Sequence, residues 1–194
     1  MRKTLLAILL ALALVVIPVG SAFAANPVTV TVAATPAYVS LAIDVNTWPI
    51  NGITGDSKIR KNTTYYSNPG GDTTAPANPV VDGNCRFQFT NNGNVAIGIT
   101  CDFANFASGD AMTNSNGGYT SNGANAFGAS GYASGVAWPG GAVIFQSSGS
   151  ATFISNLAAL GTKKWGVALL TKSGDFSSAT QMTSIITCTA TESP

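Results

Sequence analysis

The sequence predicts an all-β sandwich, and three observations carry that prediction. Apolar and polar residues alternate with a period of two in several short runs. Clusters of Gly, Asn, Ser and Pro break these runs about every ten residues. Past the first two dozen residues, no stretch holds the 3.6-residue spacing of a helix.

The first residues form a separate case. Arg2 and Lys3 precede an apolar run from Leu5 to Val19, and Ala22-Phe23-Ala24 offers a small-residue cleavage site. This is the pattern of a secretory signal, so residues 1–24 are expected to be removed. The apolar run is shorter than the ~20 residues a membrane span needs. About 170 residues then remain, a size suited to one domain. Without Arg2 and Lys3, about seven basic residues face 8 acidic ones. That balance gives no field for nucleic acid or anionic lipid. Only 9% of the chain is charged, against about 25% in ordinary soluble domains. A surface solvated by amides and hydroxyls carries little repulsion to keep copies apart.

Val28, Val30 and Val32 alternate with Thr29 and Thr31 as a clean strand. Pro36 ends it, because proline cannot donate to a ladder. The expected division is therefore residues 1–24 as leader, 25–35 as an N-terminal strand and 36–194 as the sandwich. Val39, Leu41, Ile43 and Val45 resume the alternation. Residues 56–66 read as a surface strand whose Lys58, Arg60 and Lys61 blunt an exposed edge. Asn62-Thr63-Thr64 is a glycosylation sequon. Residues 67–79, with Pro69, Pro76 and Pro79, read as loop.

Residues 84–105 form the clearest unit. Cys85, Phe87 and Phe89 alternate before an Asn/Gly turn, and Val95, Ile97, Ile99 and Cys101 alternate after it. A hairpin with both apolar faces together sets Asn91 opposite Val95, Phe89 opposite Ile97, Phe87 opposite Ile99 and Cys85 opposite Cys101. That register favours a Cys85–Cys101 disulfide, with Cys188 as the alternative partner or all three as buried thiols.

Residues 107–141 show no helical period and no clear strand. They read as a long Gly/Asn-rich excursion carrying Tyr119, Tyr132 and Trp138 as candidate contact aromatics. Strand runs follow at Val143 and Phe145, at residues 152–157 and at residues 164–171. Residues 158–160 suggest a brief helical turn. The last run, residues 182–191, puts Ile186, Cys188 and Ala190 on one face and Ile185, Thr187 and Thr189 on the other. The count of about seven to nine strands fits an immunoglobulin-like, jelly-roll-like antiparallel sandwich.

The chain contains 0 His. Ser-His-Asp and Cys-His arrangements, HExxH zinc sites and the usual neutral-pH general base are thereby excluded. The Asp residues show no EF-hand spacing, although Asp102 and Asp110 could approach one another over a calcium ion. No cofactor and no enzymatic activity are expected.

Residues 90–103, TNNGNVAIGITCDF, and residues 165–191, WGVALLTKSGDFSSATQMTSIITCTAT, resemble the two halves of secreted sandwich proteins of the TasA/camelysin type. Archaeal bundling-pilus subunits are similar. The cysteines and the Gly/Asn-rich excursion lie outside that pattern. The resemblance implies an extracellular subunit that polymerises head to tail into a surface filament or matrix fibre, partnering itself and cell-surface or matrix components. It also implies that Val28, Val30 and Val32 complete the sandwich of a neighbouring copy, a role that competes with folding into their own domain. Camelysin-type proteins are associated with peptidase activity, but this chain lacks a GxSxG elbow, and neither Asp56-Ser57-Lys58 nor Asp72-Thr73-Thr74 has the Gly of an aspartic-protease loop. A rival reading is a monomeric secreted module that binds carbohydrate or a surface partner through Tyr119, Tyr132 and Trp138.

Overall fold

Alternating burial along the strands builds two facing sheets. The computed structural model describes residues 34–50, 58–69 and 72–193. The leader and the Val28, Val30 and Val32 strand lie outside the described residues. The sandwich belongs to one compact unit, Ala37–Pro194.

The strands are β1 (Leu41–Ile43), β2 (Thr64–Tyr66), β3 (Phe87–Asn91), β4 (Ile97–Phe103), β5 (Thr113–Asn114), β6 (Ala126–Ala133), β7 (Val143–Ile144), β8 (Thr152–Leu157), β9 (Thr162–Leu170) and β10 (Ile186–Glu192). The larger sheet has seven strands and runs β1-β3-β9-β6-β5. β2 adds to β9, and β7 adds to β6. The smaller sheet has three strands in the order β10-β4-β8. All pairings are antiparallel except the short one between β5 and β6. The chain is thus an all-β sandwich, as its sequence predicts.

The main core lies between the sheets. Phe87, Phe89, Phe127, Trp165, Val167 and Leu169 come from the larger sheet; Ile97, Ile99, Cys101, Phe103, Phe153 and Leu157 come from the smaller one. Trp165 stacks on Phe89 with ring centroids 4.7 Å apart. A second cluster of Val80, Cys85, Tyr132, Trp138 and Ala168 covers the opposite face of the larger sheet. β9 and β6 are therefore buried on both faces.

Double burial explains why β6 escapes a search for alternation. Its sequence AFGASGYA is buried from Phe127 through Ala133. The residues are small because both neighbouring layers press close. A Cβ on Gly128 would stand 1.8 Å from the Gly118 carbonyl oxygen, and one on Gly131 would stand 2.1 Å from the Phe145 ring. The expected long excursion over residues 107–141 is instead a loop, a central strand and a second turn.

The expected hairpin is also corrected. β3 pairs with β1 and β9, whereas β4 pairs with β10 and β8. Residues 92–96 form an arch that carries the chain from one sheet to the other. Both apolar faces do meet, but across the core and not side by side. Coincident burial is equally satisfied by either arrangement, so alternation fixes the inward faces and leaves pairing open. The Cys85–Cys101 register falls with the hairpin. Cys101 lies opposite Cys188, and Cys85 precedes β3 in the second cluster. The helical turn expected at residues 158–160 is another crossing between sheets, with Leu160 at φ 57°.

Asn91 holds the two crossings together. Its side chain is fully buried. The carboxamide nitrogen donates to the carbonyls of Val95 (2.8 Å), Leu157 (3.1 Å) and Ala158 (3.0 Å). Its oxygen accepts the Gly93 N–H at 2.9 Å. Asn91→Ala would remove these bonds; the Ala158 carbonyl keeps the Gly161 N–H, but a buried group left unpaired costs ~1–3 kcal/mol. We expect a lower urea midpoint with an unchanged slope in equilibrium unfolding. An unaltered midpoint would show that the arches do not depend on this side chain.

Candidate functional site

Three strands cannot cover the inner face of seven. The shortfall opens on one flank, between β1 of the larger sheet and β10 of the smaller. Among the described residues, β1 pairs only with β3 and β10 only with β4. Each strand thus has one outer edge with no ladder partner.

Between these edges runs a groove of about 1220 Å³. Ile43, Val45 and Trp48 form one wall, and Ile186 and Cys188 stand on the other. Phe87, Phe103, Phe106 and Trp165 reach it from the core. A second opening of about 190 Å³ lies against Leu41, Ile43, Phe89, Ile186 and Cys188. The volume exceeds the ~300–1,000 Å³ of small-molecule pockets. The apolar lining is only partly covered: Leu41, Val45, Phe176, Met182, Ile186 and Cys188 are half-buried against the main core. Ile43 and Ile185 are 39% and 70% exposed.

The local sequence explains the shape of the β10 wall. Ile186, Cys188 and Ala190 face inward and are half-buried, while Thr187, Thr189 and Thr191 face solvent. Threonine and isoleucine suit an extended strand with one wet face. Trp165 adds a polar signal. Its side chain is 1% exposed, and its indole N–H has no acceptor. Buried tryptophan N–H groups ordinarily find one.

A buried ion pair anchors the far rim. Lys172 Nζ lies 3.2 Å from Asp110 Oδ1, with side chains 4% and 8% exposed. The ammonium also sits 4.7 Å from the centre of the Phe176 ring. Asp110 accepts hydrogen bonds from the Ser177 hydroxyl at 2.8 Å and the Ser178 N–H at 2.6 Å. Donors from Ser177 first, then Ser178 and Lys172, hold the Asp110 carboxyl well below the usual range against the opposing pull of burial. The segment from Phe176 to Ser178, part of the groove lining, is fixed by this carboxylate.

The other residues singled out by sequence fall elsewhere. Tyr132 is 1% exposed and Trp138 8%. Tyr119, Tyr132 and Tyr66 pack around Trp138 at centroid distances of 4.9, 5.3 and 5.7 Å. Tyr132 and Trp138 are buried in the second cluster, and Tyr66 and Tyr119 pack against it partly buried. Burial pushes the Tyr132 hydroxyl pKa well above the usual range, against a hydrogen bond with Ser67 that lowers it. Asn62 is exposed in the turn before β2 at φ 50°, a conformation asparagine tolerates. Its side-chain oxygen accepts from Asn122 at 3.2 Å. Asp102 and Asp110 serve separate partners, since Asp102 accepts the Ser150 N–H at 2.9 Å. Burial, with Asp82 nearby, pushes the Cys85 thiol up to about 11.

Sequence reading did not single out the groove. Its signal was present in two runs, Leu41, Ile43 and Val45 and then Ile186, Cys188 and Ala190, each apolar on one face. Nothing in either run states that the partner strand is missing. No family model, curated protein or solved structure matches the chain. What the fold and the groove define is a class: a β-sandwich with one flank left unclosed among the described residues.

The Asp110 contacts have a pH signature. A carboxyl held below its unfolded value of ~3.9 stabilises the fold above that value. The contribution is lost as pH falls through ~3.9 towards the lower folded-state value. Urea midpoints of wild type and Asp110→Asn should therefore differ most at pH ~5–7, with a gap that starts to narrow below ~3.9 and closes only towards the folded-state value, well below pH ~3. A gap that does not narrow at all below ~3.9 would place the effect on packing and not on charge.

Proposed function

We propose that this chain is an extracellular structural subunit that assembles into filaments or matrix fibres by strand donation. In this reading, residues 25–35 of one copy enter the groove of the next. The observation that carries it is the apolar groove, bounded by two strand edges that have no partner among the described residues.

Several features support the reading. Val28, Val30 and Val32 recur every second residue, as do Ile186, Cys188 and Ala190 on the groove wall. A strand laid beside β10 in the proper register sets one apolar row on the other. Main-chain hydrogen bonds to an open edge supply affinity, and the alternate side chains supply register. The entering backbone also brings carbonyls, the acceptor that the Trp165 N–H lacks. Ile43 and Ile185 would be covered in the same step. A donated strand makes a head-to-tail contact, which repeats without closing unless a rotation forms a ring. The leader pattern of residues 1–24 supports export, and the low charge of the chain favours close association. The resemblance to TasA/camelysin-type proteins points the same way. The proposed role is structural, with the chain its own principal partner.

Negative-stain microscopy of the chain freed of its leader should show filaments. Removal of residues 26–34 should leave monomers with the sandwich intact. A synthetic peptide of those residues should bind the truncated chain. Burial of one valine side chain is worth ~1.5–3 kcal/mol, so a Val30→Asp peptide should bind at least about tenfold more weakly. Filaments that persist without residues 26–34 would sink strand donation. A full-length monomer with protected valines would show instead that the strand serves its own domain.

A further inference from the structure

Cys101 and Cys188 are direct partners across β4 and β10. The type of partnership follows from two flanking bonds. Ala104 N–H donates to the Ile185 carbonyl at 2.9 Å, and Ser193 N–H donates to the Ala96 carbonyl at 2.8 Å. Both couples continue the same register as Cys101 and Cys188. In an antiparallel ladder, hydrogen-bonded and non-hydrogen-bonded couples alternate. Positions 96, 98, 100, 102 and 104 of the first chain run are then the hydrogen-bonded ones. Cys101 falls between them, so Cys101 and Cys188 form a non-hydrogen-bonded couple. Such couples bring Cα atoms to about 4.5 Å. Disulfides accept Cα separations of ~4.4–6.8 Å. Cys101 is fully buried in the main core, and the half-buried Cys188 packs against the same core.

We propose that Cys101 and Cys188 are the disulfide site of this protein, joining the edge strand β10 to β4, and that Cys85 stays a thiol. Cys85 lies in the second cluster, on the other face of the larger sheet. Cys188 lines the groove and is the sulfur a reagent can reach. Burial first, then the Cys188 side chain beside it, pushes the Cys101 thiol far up. Cys188 therefore reacts first. Its thiolate attacks a small-molecule disulfide or the disulfide of an oxidoreductase, forms a mixed disulfide and releases one thiol. Cys101 then loses its proton, attacks the Cys188 sulfur and releases the second thiol. Two protein thiols become one disulfide while the reagent's disulfide is reduced to two thiols. The bond ties the groove's free wall to the centre of its own sheet, whatever fills the groove.

The test is oxidation of the folded, purified chain with oxidised glutathione, followed by alkylation, digestion and peptide mapping without reductant. The expected result is one linked pair of peptides carrying Cys101 and Cys188, with Cys85 alkylated. The urea midpoint should rise on oxidation in wild type and in Cys85→Ser, and should not respond in Cys188→Ser. A Cys85–Cys101 or Cys85–Cys188 link, a disulfide between two chains, or three alkylated thiols after oxidation would overturn the assignment.

Discussion

One buried carboxamide sets the geometry of this sandwich. Asn91 sits where β3 leaves the larger sheet, and it donates to backbone carbonyls at the start of β4 and the end of β8. Its own N–H donates to the Gly161 carbonyl at 2.9 Å. Both crossings between sheets thus converge on one residue. A leucine here would fill the space but take away these donors, and a buried polar group left unpaired costs more than the added apolar contact returns. Keeping these bonds ties the end of the larger sheet to that of the smaller one.

Much of the sheet structure is legible in the sequence because one-sided burial imposes a period of two. Phe87 and Phe89 in β3, and Ile97, Ile99, Cys101 and Phe103 in β4, face the core as their alternation requires. The same signal cannot tell a hairpin from an arch. That ambiguity carried the cysteine pairing with it, since Cys101 faces inward in both arrangements but meets Cys188 only in the second. β6 was illegible for a different reason. A strand buried on both faces loses alternation, and one squeezed between an aromatic layer and a loop must use Gly, Ala and Ser, the residues that elsewhere signal turns. Tyr119 and Trp138 looked exposed because they stand in Gly-rich stretches, yet both rings pack in the second cluster against the larger sheet. The groove was the least legible feature. Among the described residues it consists of an absent neighbour, and each of its walls reads as an ordinary amphipathic strand.

Open strand edges are hazards that most β-proteins blunt. In this chain Lys58, Arg60 and Lys61 lie near β2, not on β10, whose solvent face is threonine. Glu192 is the one charge on β10 and stands at its end, so from Ile186 to Thr191 the edge, above a partly covered apolar floor, is poorly defended against a visiting strand. The buried Lys172–Asp110 pair lies at the other end of the opening and spends its charge on holding residues 176–178 in place. Of the charged side chains, Lys58 lines the groove itself, while the Lys172–Asp110 pair fixes its rim.

The arches also bear on how the chain reaches this structure. Neighbouring strands in sequence seldom pair: β6 pairs with β7 and briefly with β5, but β3 waits for β9 and β4 waits for β10. Long loops must close before those ladders reward it, and such topologies fold slowly. β4 remains one-sided until the last strand of the chain arrives. A polypeptide emerging from one end therefore holds its central strands unsatisfied for most of its synthesis. Quality of folding in this protein is governed less by any local turn than by how well those waiting edges are kept from the wrong companion.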